Sequence, residues 1–158
     1  MANQYIREAV NNIVAPVATA KLVNINDLCA LVAGEVVPAV DFTWTSNLAT
    51  TQTNFAAAFL GNSVQYKPAN QAYVFGNGSD NLITVSTSGT FQADLDTTTT
   101  LAVGDFVGMA KDTGNNLLSQ VVSKVDAVAK AIGVVVQAEV DATTATFRLL
   151  PTVVPFAR

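Results

Sequence analysis

The sequence predicts a mainly β fold: a small β-barrel or sandwich of two related halves, with one or two short helices. Three observations lead there. One pattern occurs twice, at a spacing of about 75 residues. An acidic residue opens an apolar run in Asp27-Leu28-Cys29-Ala30-Leu31-Val32 and again in Asp105-Phe106-Val107-Gly108-Met109-Ala110. An aliphatic-Gly step ending in Val-Gln follows in Leu60-Gly61-Asn62-Ser63-Val64-Gln65 and in Ile132-Gly133-Val134-Val135-Val136-Gln137. A third run, Leu82-Ile83-Thr84-Val85-Ser86, is matched with Ala145-Thr146-Phe147-Arg148-Leu149. The second observation is that short β-branched runs recur between Gly, Asn, Asp and Pro, the residues that turn a chain. The third is that a clear helical period occurs in one stretch, Trp44 to Gly61.

Residues 1–21 read as an N-terminal arm. Ile6, Val10 and Ile13 have helical spacing, but Asn11-Asn12 and Pro16 oppose a long helix, which leaves a short helix or a segment lying on a neighbour. A single β-rich domain spans 22–151, with halves at about 22–95 and 96–151. Its first part is a hairpin turning at Ala33-Gly34-Glu35, with Pro38 limiting the second strand to an edge or to its end. Trp44, Leu48, Phe55 and Phe59 then share one face at intervals of four, seven and four residues. They predict a core-packing helix from about Asn47 to Phe59, with Ser46 as N-cap and Gly61 as terminator. Strands are expected at Ser63–Tyr66, Tyr73–Phe75, Leu82–Ser86, Thr90–Leu95 and Phe106–Ala110. Gly76-Asn77-Gly78-Ser79 and Asp112-Thr113-Gly114-Asn115-Asn116 form turns between them. Thr97 to Thr100 suits an exposed strand or connection. Val121, Val125, Val128 and Ile132 fit either a helical face or a strand followed by a turn. Pro151 and Pro155 make 152–158 an extended tail.

Composition narrows the function classes. Of 158 residues, 50% are hydrophobic and only 13% charged, about half the usual charged share. No apolar stretch reads as a membrane span, because Leu22 to Val40 holds Asn24, Asn26, Asp27, Glu35 and Pro38. A surface this poor in charge is expected to be partly covered in an assembly, most simply a homo-oligomer with a trimer favoured. The net charge of −4 and eight scattered basic residues argue against nucleic-acid binding. Cys29 reads as a small core hydrophobe. Arg7, Glu8, Asn11 and Asn12 interrupt any signal-peptide core, so synthesis in a cytoplasm is expected.

Catalytic chemistry finds little support. Histidine is absent, which removes the commonest general base and the usual zinc ligand. No nucleophile elbow or phosphate loop is present. Asp112-Thr113-Gly114 matches the aspartic-protease triplet, but Lys111 before it and two asparagines after it fit a turn better. Asp94 and Asp96 can share one strand face, without a third acid to complete a calcium site. The expectation is a non-enzyme with no cofactor and no metal.

Asp27-Leu28-Cys29-Ala30-Leu31, Thr43-Trp44, Phe55-Ala56-Ala57-Ala58-Phe59-Leu60-Gly61, Val103-Gly104-Asp105-Phe106-Val107-Gly108 and Ala131-Ile132-Gly133-Val134-Val135 together resemble the capsid decoration, or cement, proteins of tailed bacteriophages, of the small β-barrel kind. The resemblance covers about residues 22–150. It implies a barrel on the outer capsid surface of a virion, partnered by the major capsid protein and bridging neighbouring capsomers as a trimer or dimer. It carries no catalytic residues. Apolar Tyr5, Ile6, Val153, Val154 and Phe156, in the two irregular ends, are the candidate interface. The rival readings are a head-fibre base or other virion subunit, and a glycan-binding module that stacks sugars on Trp44, Tyr66 and Tyr73.

Overall fold

The computed structural model describes residues 4–7, 11–70 and 81–152, with side chains from residue 11 onward. The fold is mainly β. In chain order the elements are β1 (Gln4–Arg7), β2 (Asn12–Pro16), β3 (Leu28–Val32), β4 (Glu35–Pro38), α1 (Leu48–Ala58), β5 (Phe59–Ser63), β6 (Leu82–Ser86), β7 (Thr90–Leu101), β8 (Phe106–Lys111), β9 (Leu117–Val125), β10 (Gly133–Val135) and β11 (Glu139–Leu149). Short 3-10 turns stand at Ala39–Asp41 and Val128–Lys130.

The strands form two sheets of identical connectivity. One runs β7-β11-β10-β8-β9, and β9 returns to pair parallel with β7 through Asp94–Val121 and Leu95–Val122, which closes a five-stranded barrel. The other runs β2-β6-β5-β3-β4, and a parallel bridge between Val17 and Val36 draws its two ends together. All other neighbours within each ring are antiparallel. Residue-level pairing also matches: Leu31 lies opposite Val36 as Met109 lies opposite Val122.

The turns repeat as well. The Asn24 N–H donates to Asp27 Oδ2 at 2.8 Å, and the Ala102 N–H donates to Asp105 Oδ2 at 2.8 Å. Asn26 and Gly104 hold the same left-handed turn position at φ 73° and 95°. Their N–H groups reach the carbonyls of Ser63 and Val135 respectively. The sequence repeat is therefore one five-stranded unit present twice. The third matched run is out by one residue. Val64 and Val136 donate to Thr84 and Thr146, so Leu82 corresponds to Thr144 and not to Ala145. The division also moves. β2 lies inside the segment read as an arm, and β7 opens the second unit rather than ending the first, so the units part at 87–89 and not at 95–96.

Each unit encloses its own apolar interior. Ala15, Val17, Cys29, Val36, Leu60 and Val85 in the first correspond to Ala93, Leu95, Val107, Val122, Ile132 and Phe147 in the second. β3 is the wall between the two cores. Cys29 faces the first, while Leu28 and Ala30 join the larger core of the barrel and α1. Phe55 and Phe59 are fully buried there, with the Phe42 ring edge-on to Phe55 at 5.1 Å. Across the same boundary, Gln52 Nε2 donates to the Met109 carbonyl at 2.7 Å, satisfying a polar group that the packing buries.

Several local expectations change. The N-cap is Asn47, whose side chain accepts from the Thr50 N–H; Ser46 has φ 50° and stands outside the helix. Gly61 is not a terminator but a strand residue, because α1 runs straight into β5, ahead of the strand expected at Ser63–Tyr66. Trp44 precedes the helix and is half-buried, with Lys111 Nζ 5.9 Å from its ring centre, so the core stripe reduces to Leu48, Phe55 and Phe59. The threonine run belongs to β7, and Val121 to Ile132 is a strand followed by a turn. Lys67, one of the scattered basic residues, is buried. Its Nζ donates to the carbonyls of Thr19, Lys21 and Pro68 at 2.7, 2.7 and 2.9 Å. The strand expected at Tyr73–Phe75 and the loop Gly76–Ser79 lie outside the described residues.

Candidate interaction surface

Of the five candidate interface residues, Tyr5 and Ile6 lie on β1. That strand runs antiparallel to β7, with Gln4 opposite Gln92, Tyr5 opposite Phe91 and Arg7 opposite Thr90, and an irregularity between Tyr5 and Arg7. Residues 4–7 of the arm are thus a strand on the second unit, and 12–16 a strand of the first, in place of the short helix. Val153, Val154 and Phe156 lie outside the described residues. The chain leading to them is anchored: Leu150 donates its N–H to the Ile132 carbonyl, and Thr152 donates its N–H to Phe59 and its hydroxyl to Ala56.

Apolar side chains stand in solvent on both units. Ile25 is 53% exposed in the first, and Val103 and Val140 are 67% and 74% exposed in the second. Two open grooves flank Asp41. One, of about 610 Å³, is lined by Lys21, Leu31, Val37, Phe42 and Asn54 among others. The other, of about 430 Å³, lies over Asp27 between Leu22, Val40, Leu118 and Gln120. Sequence reading missed both, because residues distant in the chain build them.

Asp27 and Asp105 occupy the same position in the two units with opposite electrostatics. Asp27 is buried, and that burial raises its pKa despite hydrogen bonds from the Gln120 side chain and the Asn24 N–H; the charge on Asp41 adds to the rise. Asp105 is held below its ordinary value by the Ala102 N–H and by Lys124, whose Nζ lies 2.7 Å from Oδ2. The first unit has Pro38 where the second has Lys124, so Asp27 receives only neutral donors. A raised folded pKa contributes stability below the unfolded value of 3.8, and that contribution is lost as pH rises through the folded pKa. Asp27→Asn removes this titration. Urea midpoints should therefore shift in the variant's favour, relative to the parent, between about pH 3.5 and about pH 7. A gap that stays constant with pH would refute the assignment.

The remaining motifs resolve structurally. Asp112 Oδ1 accepts from the N–H groups of Gly114 and Asn116 at 2.7 and 2.9 Å, so the Asp-Thr-Gly triplet is the turn between β8 and β9. Among the described residues, no three His, Cys, Asp or Glu side chains gather to hold a metal. No helix of the described residues is long and apolar enough to cross a membrane. Tyr66 is exposed, one face of Trp44 is covered by Lys111, and Tyr73 lies outside the described residues. No protein-family model matches the chain, and no curated protein matches it.

Proposed function

We propose that this chain is a non-enzymatic virion structural protein that decorates the outer surface of a phage capsid and stabilises it by bridging neighbouring capsid subunits. The observation that carries the reading is the doubled β unit, with its charge-poor surface and apolar side chains standing in solvent. Strand and loop surfaces of that kind suit burial against other proteins. The mechanism is linkage: a protein that binds the closed shell and not the opened one raises the cost of opening by its binding free energy. The partners are the major capsid protein and further copies of the chain, a trimer being favoured. It needs no cofactor, nucleic acid or membrane.

Electron microscopy of particles from a phage encoding the chain tests this. The expected result is density for the two five-stranded units on the outer shell, contacting more than one capsid subunit. Particles assembled without the protein should release their genome at a lower temperature. Absence from purified virions, or a position inside the shell, would overturn the reading.

A further inference from the structure

We propose that copies of this chain join edge to edge, with β1 of one copy pairing along the free edge of β2 in the next. This specifies the self-association named above and stands or falls separately from capsid attachment.

The argument starts from where backbone groups point. In β2, the Val17 N–H donates to the Asn81 carbonyl, and the Thr87 N–H donates to the Asn11 carbonyl, both at 2.7 Å. Antiparallel pairing alternates, so Asn11, Ile13, Ala15 and Val17 face β6. Asn12 and Val14 turn their N–H and C=O groups to the other side. Pro16, which has no N–H, is the next residue on that side, where an edge strand tolerates it.

The second unit shows what this edge accepts. The Leu149 N–H donates to the Gly89 carbonyl at 3.1 Å, which sets Thr90 and Gln92 facing away from β11. Those two residues are the equivalents of Asn12 and Val14, and they pair with Arg7 and Gln4 of β1. The same edge of the same unit is thus filled in the second copy. In the first unit β4 reaches this edge only at the Val17–Val36 bridge, and among the described residues no strand pairs with Asn12 or Val14 on that side. It is open to water: Asn12 is exposed, and Val14 is 42% exposed. An unpaired edge of this kind is a template for another strand.

The occupant follows from β1 itself. Gln4 and Arg7 direct their backbone groups at β7, so Tyr5 directs its own outward. Among the described residues, that side of β1 carries no strand either. Each chain therefore has one edge of each kind, at different places on its surface. Pairing unlike edges is a heterologous contact, whose repetition builds a ring where the rotation between copies closes and a filament where it does not.

Val14→Pro removes the N–H that faces outward and leaves the β6 ladder intact. Light scattering coupled to size exclusion should find the parent as a multimer and this variant at one chain mass, with an unchanged circular dichroism spectrum. A variant that assembles like the parent overturns the proposal, as does a parent that runs as a 16.5 kDa monomer. A second experiment holds even if the proline variant misfolds. Tyr5→Cys and Val14→Cys proteins, prepared separately and mixed under mild oxidation, should give a mixed disulfide of twice the chain mass, while buried Cys29 stays reduced. No cross-link, or cross-links only between like variants, overturns it.

Discussion

Gly61→Ala is expected to destabilise the chain by at least about 3 kcal/mol, read as a fall in the urea midpoint. A Cβ at this position would lie 2.0 Å from the Ser86 carbonyl oxygen, 2.9 Å from its carbon and 3.2 Å from the Thr87 Cα. All three are backbone atoms at the end of β6 or in the residue that follows it, and pairing of Asn62 with Ser86 fixes how near they come. No side chain can rotate aside to make room, so β5 and β6 must part. Gly133, at the same position in the second unit, gives an internal comparison. There a Cβ would meet Phe147 Cδ2 at 2.3 Å and the Arg148 carbonyl oxygen at 3.0 Å. The nearest obstruction is a ring, which can shift at some cost in packing, so Gly133→Ala should cost less than Gly61→Ala. A Gly61→Ala protein with the parent's midpoint would mean that β5 and β6 are not this close.

Phe55→Ala should cost about 3–5 kcal/mol, the usual range for emptying a buried aromatic site. Phe55 is wholly buried, with the Phe42 ring edge-on at 5.1 Å and Phe59 at 5.9 Å. It fastens α1 to the barrel core, so its loss removes contacts on both sides of that joint. A chemical-denaturation midpoint that barely moves would place the helix outside the cooperative core.

Much of this fold is legible in the sequence, and the failures have physical causes. The repeat shows itself where backbone geometry restricts the residue: a glycine pressed against a strand, and an aspartate closing a turn. It slips by one residue at β6, where only packing constrains the choice. Ile83 and Val85 stand where the barrel has Ala145 and Phe147, so volume moved between neighbours and the chemical likeness was lost. β2 reads poorly because its outward positions, Asn12, Val14 and Pro16, do not look like a buried strand. The aromatic stripe extends too far back because periodicity cannot register that Ser46 breaks the helix at φ 50°. Nothing local distinguishes Lys67, whose three carbonyl partners depend on loops brought together by the fold. The candidate site is legible only in part: sequence flags the apolar ends, whereas the outward edge of β2 at Asn12 and Val14, without a strand partner among the described residues, emerges only when the two units are compared.

Because the five-stranded unit occurs twice per chain, the symmetry of any assembly differs from the symmetry of its surface. Three chains in a ring would present six units in alternation, three with a lysine-paired aspartate and three with a buried one. Such a ring has threefold symmetry, while the same five-stranded order occurs six times within it. Covalent linkage also keeps the two kinds in equal number and fixed order, which separately encoded units could achieve only through selective contacts.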